Sequence, residues 1–194
     1  MLTEADVSIR NLIKSASSIL RGMDCLDPKV ISLLFVEDNE SDFILAKHLL
    51  QHNTKCNLTL CHRSNALGAS TQFLCDRVKT VKEAEEVIPA LDYDLYVLDL
   101  CLSDGDPFTL VKNMDSKGIN FPFVIRTGSC QSEEVIQMAL EAGALSFMCK
   151  DDSPCCLINT IRFAVRNYRE KQIALKSPVP VSHHKSPVTV SHHN

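Results

Sequence analysis

The stretch VISLLFVEDNESDFILAKHLL, residues 30–50, decides how the rest of the chain is read. Its first seven residues, Val30–Val36, are apolar apart from Ser32. A continuous apolar run that short suits a strand covered on both faces, as in a parallel sheet. Glu37 and Asp38 end it abruptly, and from 41 to 52 apolar residues return at helical spacing. Strand, acidic turn and helix form the opening unit of an α/β protein.

Outward from this unit the texture repeats. Short apolar runs stand at Leu95–Leu98 (LYVL), Phe123–Ile125 (FVI) and Leu145–Cys149 (LSFMC). Helical patterns lie between them, near 80–90, 107–117 and 131–143, with a long one at 154–176. The alternation requires one more strand between the first two helices, and Leu58–Cys61 or Gln72–Val78 can supply it. The second is preferred because it leads directly into VKEAEEVIPAL, which leaves 53–71 as a long loop. The expected architecture is a doubly wound α/β domain over 29–172 with a five-stranded parallel sheet. Before it, residues 1–28 read as an amphipathic helix (3–22, with Thr3 and Asp6 at capping-box spacing) and a linker holding Pro28. After it, 173–194 read as a helix end and a disordered tail, SPVPVSHHK followed by SPVTVSHHN, with too little apolar surface to order.

Composition narrows the function. Twenty Lys+Arg against 24 Asp+Glu give a formal charge of −4, so direct nucleic-acid binding is not expected. No run approaches the ~18 apolar residues of a membrane helix. Glu4, Asp6, Arg10 and Lys14 interrupt any secretory signal, and a cytoplasmic protein without membrane contact is expected. Nine scattered cysteines include no Cys-x-x-Cys pair, which favours reduced thiols over a disulfide scaffold. His52, Cys56, Cys61, His62 and Cys75 match the spacing of no closed zinc site.

The chemistry lies in the residues at the strand ends. Glu37 and Asp38 come after the first strand, Asp99 after the LYVL run, Thr127 after the FVI run and Lys150 after the last. In an open parallel sheet the carboxyl ends of the strands share one edge, where ligands bind. Each residue alone has a structural explanation as a cap or surface group; together they set three carboxylates, a hydroxyl and an ammonium at one edge. Three clustered carboxylates repel one another, and a hard divalent cation such as Mg²⁺ relieves that repulsion. The set suits phosphoryl transfer onto Asp99, with the metal and Lys150 neutralising the transferred group.

LLFVEDNESDFILAKHLL (33–50), DLYVLDLCLSDGDPF (94–108), FVIRTGS (123–129) and EAGALSFMCKDD (141–152) resemble the successive signature segments of two-component response-regulator receiver domains. The resemblance implies a flavodoxin-like, CheY-like fold with strand order 2-1-3-4-5. It implies Asp99 as phosphoacceptor, Glu37 and Asp38 as the Mg²⁺-holding pair, and Asp99 with the backbone carbonyl of Cys101 as further metal ligands. Thr127 becomes the switch hydroxyl, Lys150 the phosphate-pairing lysine and Phe147 the switch aromatic. A sensor histidine kinase or histidine phosphotransfer protein would donate, and a downstream protein would read the result. The chain would act as a signalling receiver and not as an enzyme. The alternative is a phosphorylation-independent interaction module on the same fold.

Three positions depart from the family pattern: Ser103 replaces its usual Pro, Pro107 its usual Gly, and Asp151 the Pro after the lysine. Asp106-Pro107 still suits a helix start, as N-cap and first-turn proline. No output module is recognisable after residue 176, so a stand-alone receiver is expected. Its last helix carries Leu157, Ile161, Ala164, Val165, Tyr168 and Leu175 broadly on one stripe and could form a homodimer seam.

Overall fold

The computed structural model describes residues 30–52, 71–128 and 132–176. The predicted N-terminal helix, the alternative strand Leu58–Cys61, Cys56 and His62, and the repeated tail lie outside the described residues. In chain order the elements are β1 (Val30–Val36), α1 (Glu40–His52), β2 (Gln72–Val78), α2 (Val81–Ala90) and β3 (Leu95–Leu98). Next come α3 (Pro107–Ser116), β4 (Phe123–Thr127), α4 (Glu133–Glu141), β5 (Phe147–Cys149) and α5 (Pro154–Lys176). The strands form one parallel sheet in the order β2-β1-β3-β4-β5. Gln72–Val78 is therefore the second strand, as its position before α2 implies.

Side chains on successive strand residues point to opposite faces, so each central strand feeds two cores. Ile31, Leu33 and Phe35 pack with Ala46 and Leu50 of α1 and with Leu157, Ile158, Ile161 and Val165 of α5. Leu34, Val36 and Leu98 pack on the other face with Ala84 and Ile88 of α2, Leu110 and Met114 of α3, and Ala139 of α4. Apolar burial on both faces is why these strands read as unbroken hydrophobic runs.

Helix ends obey local chemistry. Asp106 caps α3, its carboxylate accepting from Phe108 N–H at 3.0 Å, with Pro107 in the first turn as expected. Helices α3 and α4 each stop at a glycine of positive φ, Gly118 (72°) and Gly143 (93°). At each stop the next amide reaches back five residues, Ile119 N–H to Met114 C=O and Ala144 N–H to Ala139 C=O. That closure requires a left-handed residue, which glycine adopts without steric cost.

Three expectations need adjustment. The FVI run continues through Arg126 and Thr127, so Thr127 is the last residue of β4. The final strand is confined to Phe147–Cys149 and does not include Leu145. Cys155 is disulfide-bonded, so the reading of every cysteine as a thiol does not hold there. In α5, Leu157, Ile161, Ala164 and Val165 are buried whereas Leu175 is 79% exposed, so the stripe outlasts the core.

Candidate functional site

Each site residue is positioned by a strand end. Glu37 N–H donates to Val78 C=O at 3.0 Å and Asp99 N–H to Val36 C=O at 3.0 Å, which fixes both acids at the carboxyl edge of the sheet. Asn39 then starts α1, its side-chain oxygen accepting from Ser41 N–H at 2.9 Å. Lys150 N–H donates to Thr127 C=O at 2.7 Å, which places the lysine immediately beyond β5.

These placements bring the predicted residues together. Glu37, Asp38 and Asp99 each offer a carboxylate oxygen within 4.8 Å of the others. The Lys150 ammonium lies 2.7 Å from Glu37 Oε2, 2.8 Å from Asp42 Oδ2 and 2.9 Å from Asp99 Oδ2. Glu37, Asp99 and Thr127 are buried, at 2%, 4% and 0% exposure, so these charges meet where solvent screens them little. Phe147 is half-buried and packs against the core beneath α3 and α4. Cys101 lies exposed in the turn after Asp99.

The charges reshape one another. Burial raises the Glu37 pKa; Lys150 opposes this, the Asp99 charge adds to it, and the net shift is upward. Burial alone would drive Lys150 toward the neutral amine. Its hydrogen bonds to Asp42, Glu37 and Asp99 outweigh that and hold its pKa above the ordinary value. Lys150 is thus a fixed cation.

Two charged residues of the cluster were not among those expected. Asp42, in the first turn of α1, supplies a third carboxylate to Lys150; its place four residues after Asp38, on the same helical approach, was the available signal. Arg126 is only 3% exposed, and its Nη1 lies 3.9 Å from Glu37 Oε2. Its signal was a lone charge between the apolar FVI run and Thr127. Burial lowers the Arg126 pKa, while Glu37, Asp42, Asp99 and Asp151 pull it back up.

The loop after β3 is tied down. Asp104 accepts from Val81 N–H at 3.0 Å and Lys82 N–H at 3.4 Å, which joins the loop to the start of α2. Ser103 N–H donates to Asp38 Oδ2 at 3.1 Å. The proline of the family pattern has no N–H to give at this position.

Three buried polar atoms at this edge have no hydrogen-bond partner: Asp99 Oδ1, Thr127 Oγ1 and Arg126 Nη1. Buried polar groups are ordinarily paired, and their concentration here marks a place built to receive a ligand. The donor set is all oxygen and carries excess negative charge, which fits a hard divalent cation such as Mg²⁺ and not a soft metal.

Comparison with known proteins agrees with this geometry. The family model for the response regulator receiver domain matches residues 61–162, a span that holds Asp99, Thr127 and Lys150 but not Glu37 or Asp38. The chain belongs to the response regulator receiver domain family. It is similar in structure to the receiver domain of the Francisella response regulator 1452 (TM-score 0.54, 20% identity, 71% of this chain and 98% of that one). It is also similar to the receiver domain of a putative Luxo repressor protein from Vibrio parahaemolyticus (TM-score 0.59, 18% identity, 76% and 98%). A third neighbour is the CheY-like receiver domain protein from Methanospirillum hungatei JF-1 (TM-score 0.56, 19% identity, 74% and 98%). At these identities the neighbours establish the fold. No curated protein sequence matches the chain. Among the described residues no helix is long and apolar enough to cross a membrane.

Proposed function

We propose that the chain is a phosphorylation-dependent signalling receiver that accepts a phosphoryl group on Asp99 from a histidine kinase or a histidine phosphotransfer protein in the cytoplasm. The observation that carries this reading is the state of the Asp99 carboxylate: Oδ2 is anchored on Lys150 at 2.9 Å, while Oδ1 is buried and unpaired. One oxygen is held and the other is free to react.

In the reaction a carboxylate oxygen of Asp99 attacks the phosphorus of a phosphohistidine. The O–P bond forms as the P–N bond breaks, and the imidazole leaves with the electron pair and takes up a proton from solvent. The Lys150 ammonium turns from the carboxylate to the transferred oxygens, where positioned positive charge lowers the barrier most. Glu37, Asp38, Asp99 and the carbonyl of Cys101 would hold Mg²⁺, which supplies further charge neutralisation. The Thr127 hydroxyl, buried without a partner, gains one in the phosphoryl oxygen. That new bond draws the end of β4 inward and shifts a pre-existing equilibrium at the α4 surface and Phe147, which a downstream protein reads. The residues serve a single phosphoryl acceptance and not turnover of a substrate.

The test is labelling by a small phosphodonor with Mg²⁺, read by phosphate-affinity electrophoresis. Wild type is expected to shift and Asp99→Asn to remain unshifted. Label persisting on Asp99→Asn at the wild-type level would remove the mechanism. A folded wild type that takes no label from phosphodonor or kinase would favour the phosphorylation-independent module.

A further inference from the structure

The buried guanidinium of Arg126 has no part in phosphoryl transfer to Asp99, yet it sits inside the acid cluster. The sheet register puts it there. Val36 pairs with Leu98 and Leu98 with Ile125, so the next positions along the edge are Glu37, Asp99 and Arg126 in one row. Alternation along β4 turns Arg126 to the face that holds Val124 and Met148, the face covered by α1 and α5. There it is buried, with Nη1 3.9 Å from Glu37 Oε2, too long for a hydrogen bond but close enough for strong attraction.

A strand residue on that face would ordinarily be apolar, since a buried charge is costly unless it is compensated. The compensation available is the excess of carboxylates. Glu37, Asp38, Asp42 and Asp99 lie around Lys150, which alone leaves the cluster strongly negative. Arg126 removes one further unit of that excess. The acids that would face a metal are also engaged by the chain itself. Glu37 Oε2 is taken by Lys150 at 2.7 Å and Glu37 Oε1 by Asn39 N–H at 3.2 Å, and Asp38 Oδ2 by Ser103 N–H at 3.1 Å.

We infer that Arg126 is a resident cation of the acid site that competes electrostatically with the divalent metal and sets a weak Mg²⁺ affinity. The inference rests on the proposed reading of the acid cluster as a metal site. Arg126 is a positioning residue: it acts on the metal through charge and through its hold on Glu37, and touches neither substrate nor the reacting atoms. Its charge is permanent near neutral pH, so it cannot be shed when the metal arrives. The metal therefore binds against it.

The test is direct Mg²⁺ binding by isothermal titration calorimetry on the unphosphorylated full chain. Arg126→Met, which replaces the aliphatic stem and removes the charge, is expected to bind Mg²⁺ at least about tenfold more tightly than wild type. Tenfold is a floor, the scale of removing one unit charge from about 6 Å beside a divalent ion at the dielectric of bulk water, and a less screened site gives more. Arg126→Lys, which keeps the charge, is expected to stay within about threefold of wild type. Arg126→Gln is measured alongside, so that the comparison does not depend on one neutral side chain folding. The melting temperature in Mg²⁺ minus that in chelator gives a second readout, larger in the neutral variants because tighter binding stabilises more. Equal affinity in wild type and a folded neutral variant overturns the inference, as does equal tightening in the Lys and Met variants. Either result leaves phosphoryl acceptance standing, because that is read separately on Asp99→Asn.

Discussion

Carboxylates stand at both ends of the sheet, half-buried at one and buried at the other, and the two ends treat them oppositely. At the amino-terminal end, just before β3, Asp94 accepts from Ser32 N–H at 2.8 Å, from Ser32 Oγ at 2.9 Å and from Arg169 Nη2 at 2.6 Å. Both oxygens are used, and the groups stitch β1, β3 and α5 together. Nearby, Tyr96 donates its hydroxyl to Leu91 C=O at 2.8 Å, and burial pushes its pKa up to about 12. At the carboxyl end, three further polar atoms stay unpaired and four acids crowd two cations. A satisfied carboxylate stabilises the fold. A crowded, half-satisfied one keeps capacity to bind, and the site is stabilised only when a ligand arrives.

The largest expected effect on stability comes from the satisfied end. Asp94→Ala is expected to cost about 2–3 kcal/mol in chemical denaturation, toward the low side for buried ion pairs because both side chains keep some exposure. Its phosphoryl uptake should match wild type. The same residue sets a pH dependence. Burial works to raise the Asp94 pKa, but the Ser32 and Arg169 contacts prevail and depress it below the ordinary 3.8. A depressed folded pKa means stability that is present above the ordinary aspartate value and is lost as pH falls through the folded one. Denaturation midpoints measured down an acid series should therefore fall less steeply for Asp94→Ala than for wild type. Parallel curves would deny Asp94 this role.

A smaller loss is expected for Tyr96→Phe, about 1 kcal/mol, since it strips a partner from the Leu91 carbonyl without opening a cavity. The smallest change, of opposite sign, belongs to the crowded end. Thr127→Val replaces an unpaired buried hydroxyl with a methyl of equal volume and is expected to gain about 0.5 kcal/mol. A clear loss of stability in that variant would mean that Thr127 is a structural hydrogen-bonding residue, and the contrast between the two ends would blur.

Much of this was legible in the residue order. The apolar runs at 30–36 and 95–98 announced strands because strands covered on both faces admit few polar residues, whereas 72–78, with Gln72, Asp76 and Arg77, was placed by its lead into α2. Asp106-Pro107 announced α3 because cap and first-turn proline act locally. Boundaries read less well at β4 and β5. Arg126 and Thr127 are polar, yet they stay in the strand because the ladder to β5 continues through Thr127, paired with Cys149.

Sequence by itself determined the alternation of strands and helices and the acids, hydroxyl and lysine at the strand ends, because these depend on periodicity and on neighbours a few residues away. Only the tertiary structure decided that Asp42 joins Lys150, that Ser103 N–H holds Asp38, and that Arg126 faces Glu37 instead of solvent. Those contacts span 108, 65 and 89 positions of chain, and nothing local encodes them. They exist because parallel pairing carries distant strand ends to one edge, where charge counts are settled by geometry.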